Sequence, residues 1–323
     1  MTWLLTGGAG YIGAHVVRAL QASGREVVVL DDLSTGVTAK VPADVPLVEA
    51  SVLDTDAVTA ALRDHDCVGV IHLAAKKAVG ESVDRPLYYW QQNVEGFRSL
   101  LAATVDAGVQ AVVLSSSAAC YGEPDVDVVT EDEPTRPLSP YGTTKLAGEW
   151  LLRETAAAHG LRHTALRYFN VAGAGGPALG DTGVFNLIPM VFRRISRGES
   201  PLIFGSDYPT PDGTCVRDFI HVADLAEAHV AAAAALEERD LPDVLNVSTA
   251  TGSSVREAVD TILDVTGIDL EPELADRRPG DPPRIVGSAD LIAAELGWKG
   301  QRDLRDMVAS AWEAWLATGD PTS

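Results

Sequence analysis

The chain has 323 residues, 46% of them hydrophobic and 22% charged, with 46 acidic against 25 basic side chains and a formal net charge of −21. That is ordinary for a globular protein of one large or two modest domains, and it argues against a nucleic-acid backbone or an anionic membrane as partner. Any anionic ligand of so acidic a protein needs a local basic pocket.

Three scattered cysteines, Cys67, Cys120 and Cys215, make neither a disulfide framework nor a metal site and fit a reducing, cytoplasmic setting. The opening Met1-Thr2-Trp3-Leu4-Leu5-Thr6 lacks the basic segment of a secretion signal and predicts a buried strand over residues 3–6. Gly7, Gly10 and Gly13 follow at intervals of three around Tyr11 and Ile12. Apolar spacing through His15, Val16, Val17, Ala19 and Leu20 then predicts a helix running to Gly24. Strand, glycine turn and helix together are the setting of a dinucleotide site. The glycines permit a tight turn and close approach of a pyrophosphate, and the helix N-terminus offers it N–H donors.

A second strand, 26–30, ends in Asp31-Asp32. A carboxylate there accepts hydrogen bonds from an adenosine ribose and repels a 2′-phosphate, which favours NAD over NADP. One of the two acids fills that role and the other is a loop carboxylate. Further apolar strands at 47–50, 67–73, 111–115 and 162–168 alternate with helices, which predicts a doubly wound parallel sheet. Ligands bind at the strand ends of such sheets. That nominates Leu73, Ala74 and Ala75, the serines Ser115 to Ser117, and the run from Arg167 through Tyr168 to Asn170.

Helices are expected over 88–107 and 140–158. In the second, Ser139 is a good N-cap and Pro140 suits the first helical position. Tyr141 and Lys145 then lie one turn apart on one face, where the ammonium eases ionisation of the phenol into a general base. Glycine and proline become frequent after residue 170, through 172–181 and 202–214. A helix with an aspartate cap over 224–238 and a strand over 244–247 can return to the first half, and amphipathic helices over 253–265 and 304–316 belong to a smaller unit. The expected division is a dinucleotide-binding domain over 1–170 with a return segment about 215–249, and a second domain from 171–214 and 250–323.

These pieces resemble the extended short-chain dehydrogenase/reductase superfamily. More narrowly, from Leu4 to about Trp315, the chain is similar to the UDP-glucose (UDP-galactose) 4-epimerase family. The most particular stretches are Lys77-Ala78-Val79-Gly80-Glu81-Ser82, Arg167-Tyr168-Phe169-Asn170, Asp207-Tyr208-Pro209-Thr210-Pro211-Asp212-Gly213-Thr214 and Arg217-Asp218-Phe219-Ile220-His221. The resemblance implies a Rossmann domain with a smaller α/β substrate domain, resident NAD, a UDP-sugar substrate, a homodimer, no metal, and transient oxidation at C4 of the hexose. It casts Tyr141 as base and acid, Lys145 as its electrostatic partner and Ser117 as the hydrogen-bonding aid. By the same resemblance Ser51, Val52, Lys77, Asn93, Ser115 and Tyr168 join the cofactor pocket. Lys77, Asn170, Asn186, Leu187, Phe204, Arg217, Arg278, Asp281 and Ile285 contact the nucleotide sugar.

Departures from the family bear on detail. Ala119 stands where threonine is frequent, Ser51 where aspartate commonly meets adenine, and Lys76 where a small or apolar residue is frequent. Ile285 aligns with a position whose bulk limits what fits at the sugar's C2, so an N-acetyl group can enter. A 4,6-dehydratase needs an acid–base pair beside the serine, where this chain has Ala118-Ala119 and Cys120. Epimerases of other UDP-sugars (N-acetylhexosamine, pentose or uronate) and a net NAD-dependent dehydrogenase share most motifs. The apolar stripes of the helices over 88–107 and 140–158 suit either a dimer bundle or the intramolecular core.

Overall fold

The computed structural model describes residues 1–278 and 280–319. In the first half, β1 (Thr2–Thr6), α1 (Tyr11–Ala22), β2 (Glu26–Asp31), β3 (Leu47–Glu49), α2 (Thr55–Asp64) and β4 (Cys67–His72) alternate as the apolar runs predict. Next come α3 (Val79–Asp84), α4 (Pro86–Tyr89), a π-helical turn over Trp90–Glu95, α5 (Gly96–Asp106), β5 (Ala111–Ser117), α6 (Pro140–His159) and β6 (Arg162–Tyr168). The second half holds β7 (Asn170–Ala172), α7 (Leu187–Ser196), β8 (Leu202–Phe204), β9 (Val216–His221), α8 (Val222–Glu238) and β10 (Val244–Val247). After these follow β11 (Gly252–Ser254), α9 (Val255–Thr266), β12 (Glu273–Ala275), β13 (Arg284–Ile285), α10 (Asp290–Leu296) and α11 (Leu304–Thr318).

Seven strands form one parallel sheet in the order β10-β6-β5-β4-β1-β2-β3. Side chains alternate across it with the strand period of two. Trp3, Leu5, Val29 and Ile71 pack under α1 and α8 with Leu20, Leu225 and Leu236. Leu4, Val28, Val70 and Val112 pack on the other face with Leu62, Phe97, Leu100 and Leu152 of α2, α5 and α6. Both faces are covered, which is why these strands read as continuous apolar runs. The order reverses beside β1, with β2 and β4 on its two sides, and a doubly wound sheet opens its ligand crevice at that point.

The rest of the chain covers the carboxyl ends of this sheet. β9 pairs with β7, β11 and β13, while β8 pairs with β12. Ile188, Phe192, Ile262, Met307 and Trp315 form their core. The chain rejoins the large sheet with α8 and β10, so β9, inside the expected return segment 215–249, belongs to the second sheet instead. Conversely, Ile292 of α10 and Trp298, inside the stretch 250–323 expected in the second unit, pack into the first core.

The expected aspartate cap of the helix over 224–238 is corrected. α8 begins at Val222, and His221 caps it by accepting the Ala223 N–H at Nδ1, 3.0 Å. Asp224 is fully buried in the first turn and instead takes the backbone N–H groups of Gln301 and Arg302. Among the described residues no helix is long and apolar enough to cross a membrane, and no cluster of His, Cys, Asp or Glu could hold a metal ion.

Candidate active site

A cavity of about 800 Å³ runs along the carboxyl ends of the large sheet, from the glycine turn to the second sheet. Gly7 has φ +75°, and a Cβ on it would lie 2.7 Å from the backbone nitrogen of Ala74. A Cβ on Gly13 would lie 2.1 Å from the carbonyl oxygen of Gly7. The turn therefore closes only without side chains, and it leaves a bare backbone rim at the start of α1, lined by Gly10, Tyr11 and Ile12.

Asp31 anchors this rim. Its Oδ2 accepts the Ala9 N–H at 3.0 Å and its Oδ1 accepts that of Leu33 at 2.9 Å. Burial pushes its carboxyl pKa up, against those two donors. Asp32 caps its own loop, accepting from the backbone and hydroxyl of Ser34, although both acids line the cavity. Val52, Leu73, Ala74, Ala75, Lys77 and Tyr168 line it as well. Ser51 does not; its hydroxyl accepts the Leu53 N–H at 3.2 Å.

Two other residues expected in the cofactor pocket stand behind its wall. Asn93, in the π-helical turn, grips Lys76 from both sides: Oδ1 accepts the Lys76 N–H at 2.8 Å and Nδ2 donates to its carbonyl at 3.0 Å. The Lys76 ammonium reaches across to Ser34 Oγ, 2.8 Å. The Ser115 hydroxyl pairs with His229 Nε2 at 2.8 Å, while its carbonyl accepts from Lys145 Nζ at 2.8 Å. A dinucleotide fits this half of the cavity: the glycine rim can take a pyrophosphate, and the Asp31 loop closes the side where the adenosine ribose would lie.

The α6 side chains enter from the other wall. Ser139 caps the helix through Gly142 N at 3.2 Å, as expected, and fixes where Tyr141 begins. Tyr141 and Lys145 are 8% and 6% exposed, with Nζ 6.0 Å from the centre of the phenol ring. Here the expectation of an easily ionised phenol is corrected. Burial pushes Tyr141 up to about 12, opposed by the hydrogen bond from Ser117, and pushes Lys145 down to about 8, opposed by Cys120 and Glu149. Desolvation of each group outweighs the charges and hydrogen bonds around it.

On the far side, Asn170, Asn186, Arg217, Asp281 and Ile285 line the cavity. The Arg217 guanidinium is held by the Pro282 carbonyl at 2.8 Å and by Asp281 at 3.4 Å. Asn186 donates to Asp181, whose other oxygen lies 3.8 Å from Lys77. Three expected contacts lie off the lining: Leu187 packs beside the second core, and Arg278 stands 3.8 Å over the ring of Phe204. Ile285 packs with Ala118, Tyr121, Val129 and Phe169 in an apolar wall beside Ser117. Sequence reasoning missed Asp181, which no spacing marks. It also missed Glu149, which the interval Tyr141, Lys145, Glu149 does mark.

A family model described as "NAD dependent epimerase/dehydratase family" matches residues 3–248. Over 318 residues the chain is 46% identical to a UDP-glucose 4-epimerase of Azospirillum brasilense, covering 97% of this chain and 91% of that one. It is 44% identical over 324 residues to a UDP-glucose 4-epimerase of Corynebacterium glutamicum, covering 99% and 97%. Among solved structures, UDP-glucose 4-epimerase from Stenotrophomonas maltophila with bound NAD and formylated UDP-arabinopyranose superposes with a TM-score of 0.94, at 39% identity, covering 98% of each chain.

Proposed function

We infer the reaction from the premise that the chain belongs to the NAD dependent epimerase/dehydratase family: it is a UDP-glucose 4-epimerase, an NAD-dependent isomerase that interconverts UDP-glucose and UDP-galactose. The observation that carries the chemistry is the convergence of Tyr141, Ser117 and Lys145 where the glycine-rimmed cleft meets the basic and amide groups of the second sheet. Bound NAD supplies a hydride acceptor and donor at C4, so the oxidation is internal and the keto sugar is reduced again on its other face.

Tyr141 takes the proton of the C4 hydroxyl at its phenolic oxygen and later returns it to the oxygen of the keto sugar. The Ser117 hydroxyl holds that sugar oxygen beside the phenol, and its own place is kept by the Ala119 N–H at 3.2 Å. This bond survives although Ala119 brings no hydroxyl. Lys145 stabilises the phenolate by charge. Arg217, with Asn170 and Asn186, holds the uridine diphosphate; a guanidinium fork suits phosphate and answers the problem of an anionic substrate on an acidic protein. The sugar meets the apolar wall of Ala118, Phe169 and Ile285, which offers few fixed donors. A hexose tethered by its diphosphate can turn over against such a wall.

Residues 1–170 with α8, β10 and α10 serve as the NAD-binding part and the remainder as the substrate part. The protein works in the cytoplasm as a homodimer. Leu87 and Trp90, 84% and 41% exposed, and Trp150, 50% exposed, lie on neighbouring helices α4, the π-helical turn and α6, and a second copy would cover them. Sedimentation velocity should give twice the 34.1 kDa chain mass; a chain that stays at 34.1 kDa removes the dimer.

Proton NMR of UDP-galactose incubated with the purified protein, without added cofactor, should show UDP-glucose appearing. No change, even after NAD is added, would overturn the epimerase reading. UDP-N-acetylgalactosamine under the same conditions tests the pocket. Ile285→Tyr should lose turnover of the N-acetylated sugar selectively, and equal losses on both sugars would show that Ile285 does not set the C2 limit.

A further inference from the structure

A buried ionic pair that the reaction does not use lies one helical turn below Lys145. Glu149 continues the spacing of Tyr141 and Lys145, so the three side chains share one face of α6. Arg167 of β6 holds its carboxylate from two sides, Nε to Oε1 at 2.8 Å and Nη2 to Oε2 at 2.5 Å, with both side chains only 6% exposed. Oε1 also accepts from the Ser116 hydroxyl and lies 3.7 Å from Cys120 Sγ. Arg167 in turn lies 4.6 Å over the ring of Tyr121, whose hydroxyl donates to Asn246 of β10.

Three consecutive residues of β5 thus meet three successive turns of one helix face. The Ser115 carbonyl takes Lys145, the Ser116 hydroxyl takes Glu149, and the Ser117 hydroxyl faces Tyr141. Any slip of α6 along β5 would break all three together. Stability alone does not account for this arrangement, because burying an ion pair costs about as much in lost hydration as the attraction returns.

We propose that Glu149, fastened by Arg167, is a positioning residue for the epimerase reaction, fixing α6 against β5 and supplying the negative charge that holds the Lys145 ammonium. This rests on the reading of Tyr141, Lys145 and Ser117 given above. The groups facing Lys145 are Tyr141 and Glu149 from α6, Cys120 from the turn after β5 and His72 from β4, while Arg167 of β6 faces Glu149 and Tyr168 of β6 faces Tyr141. Burial takes His72 down to about 3 and Cys120 up to about 12, so both are neutral near pH 7. With Cys120 neutral, the Glu149 carboxylate is the anion that favours the ammonium, and Arg167 is not among the charges acting on Lys145.

The double variant Glu149→Met with Arg167→Met removes both charges at similar volume, a change that buried pairs tolerate. It should melt near the wild-type temperature and keep its NAD, with KM for UDP-galactose little altered and kcat down about 100-fold, as expected for a displaced catalytic group. Competitive acetylation of Lys145 across pH, read by mass spectrometry, should show its midpoint moved down by about one unit, because loss of the nearby anion disfavours the ammonium. A folded double variant with wild-type kcat and an unmoved Lys145 midpoint would overturn the proposal and leave the pair purely structural. If the double variant does not fold, Ser116→Ala removes the same helix–strand contact without changing charge. It should lower kcat severalfold, and an unchanged kcat overturns the positioning role. Wild-type protein inert on UDP-hexoses would overturn the epimerase reading instead, and the acetylation midpoints would still decide what Glu149 does to Lys145.

Discussion

Tyr141→Phe should lower kcat about 1,000-fold while leaving resident NAD and UDP affinity in place. Phenylalanine keeps the ring that packs in the α6 face and deletes the oxygen alone. General acid–base catalysis by a positioned side chain contributes about 10²- to 10⁴-fold, and here the same oxygen takes the proton in one half of the cycle and returns it in the other. The wild-type pH profile carries a second signature. Burial holds the phenol at about 12, so its ionised form near neutrality depends on positive charge close by, and the Lys145 ammonium, at about 8, is the protein's share of that charge. Wild-type kcat should therefore fall above about pH 8, as Lys145 gives up its proton and the phenolate loses its support. The residual rate of Tyr141→Phe should be flat through that range. The measurement is kcat from single time courses of UDP-galactose conversion, with NAD content read from the denatured protein. A loss under tenfold would move the base to another group.

The large sheet was legible because its strands are buried on both faces. Continuous apolar runs closed by glycine turns mark such strands to within a residue or two, and residues 244–247 were found in the same way. Pairing was not legible. Val216 to His221 reads like any other strand, and only its partners β7, β11 and β13 show which sheet it joins. The π-helical turn over Trp90–Glu95 was hidden as well, since one widened turn inside a helix leaves the apolar stripe almost intact. Its effect is local and useful: it carries Asn93, which fixes the loop after β4.

The site was legible where function fixes spacing along the chain, and less so where it depends on burial or on distant partners. Tyr141, Lys145 and the glycine turn are spaced by one helix or one loop, and the structure brings them to one cavity. The sequence showed that an ammonium stands near the phenol, but not that both are desolvated, and desolvation reverses the direction of the phenol's shift. Asp224 looked like a helix cap because aspartate favours that position. The imidazole of His221 took it instead, freeing Asp224 to bind the chain around Arg302. Arg278 rests on Phe204 at the end of β8, an aromatic–cation contact between residues far apart in sequence.

Gly13→Ala should yield protein without NAD, without epimerase activity, and less stable by about 2 kcal/mol, in the range of overpacking a filled site. The added methyl would stand 2.1 Å from the Gly7 carbonyl oxygen and 2.7 Å from Gly8 Cα. Both are backbone atoms of the turn itself, so no side chain can rotate away to make room. Relief requires the turn to move, and the turn is fixed on its far side. Gly7 donates to the Leu30 carbonyl at 2.9 Å, Asp31 holds Ala9, and a Cβ on Gly8 would already meet Val29. The start of α1 must then shift outward, which removes the backbone donors from the place where a pyrophosphate would lie. Gly80→Ala is the matched control, since its Cβ would meet no heavy atom within 4 Å. It lies within α3, where alanine gains about 0.5 to 1 kcal/mol over glycine, so that variant should melt at or above the wild-type temperature with its NAD retained. Thermal melts and the NAD released on denaturation decide the matter. A Gly13→Ala protein that melts normally and still holds NAD would mean the cofactor is seated elsewhere than on this turn.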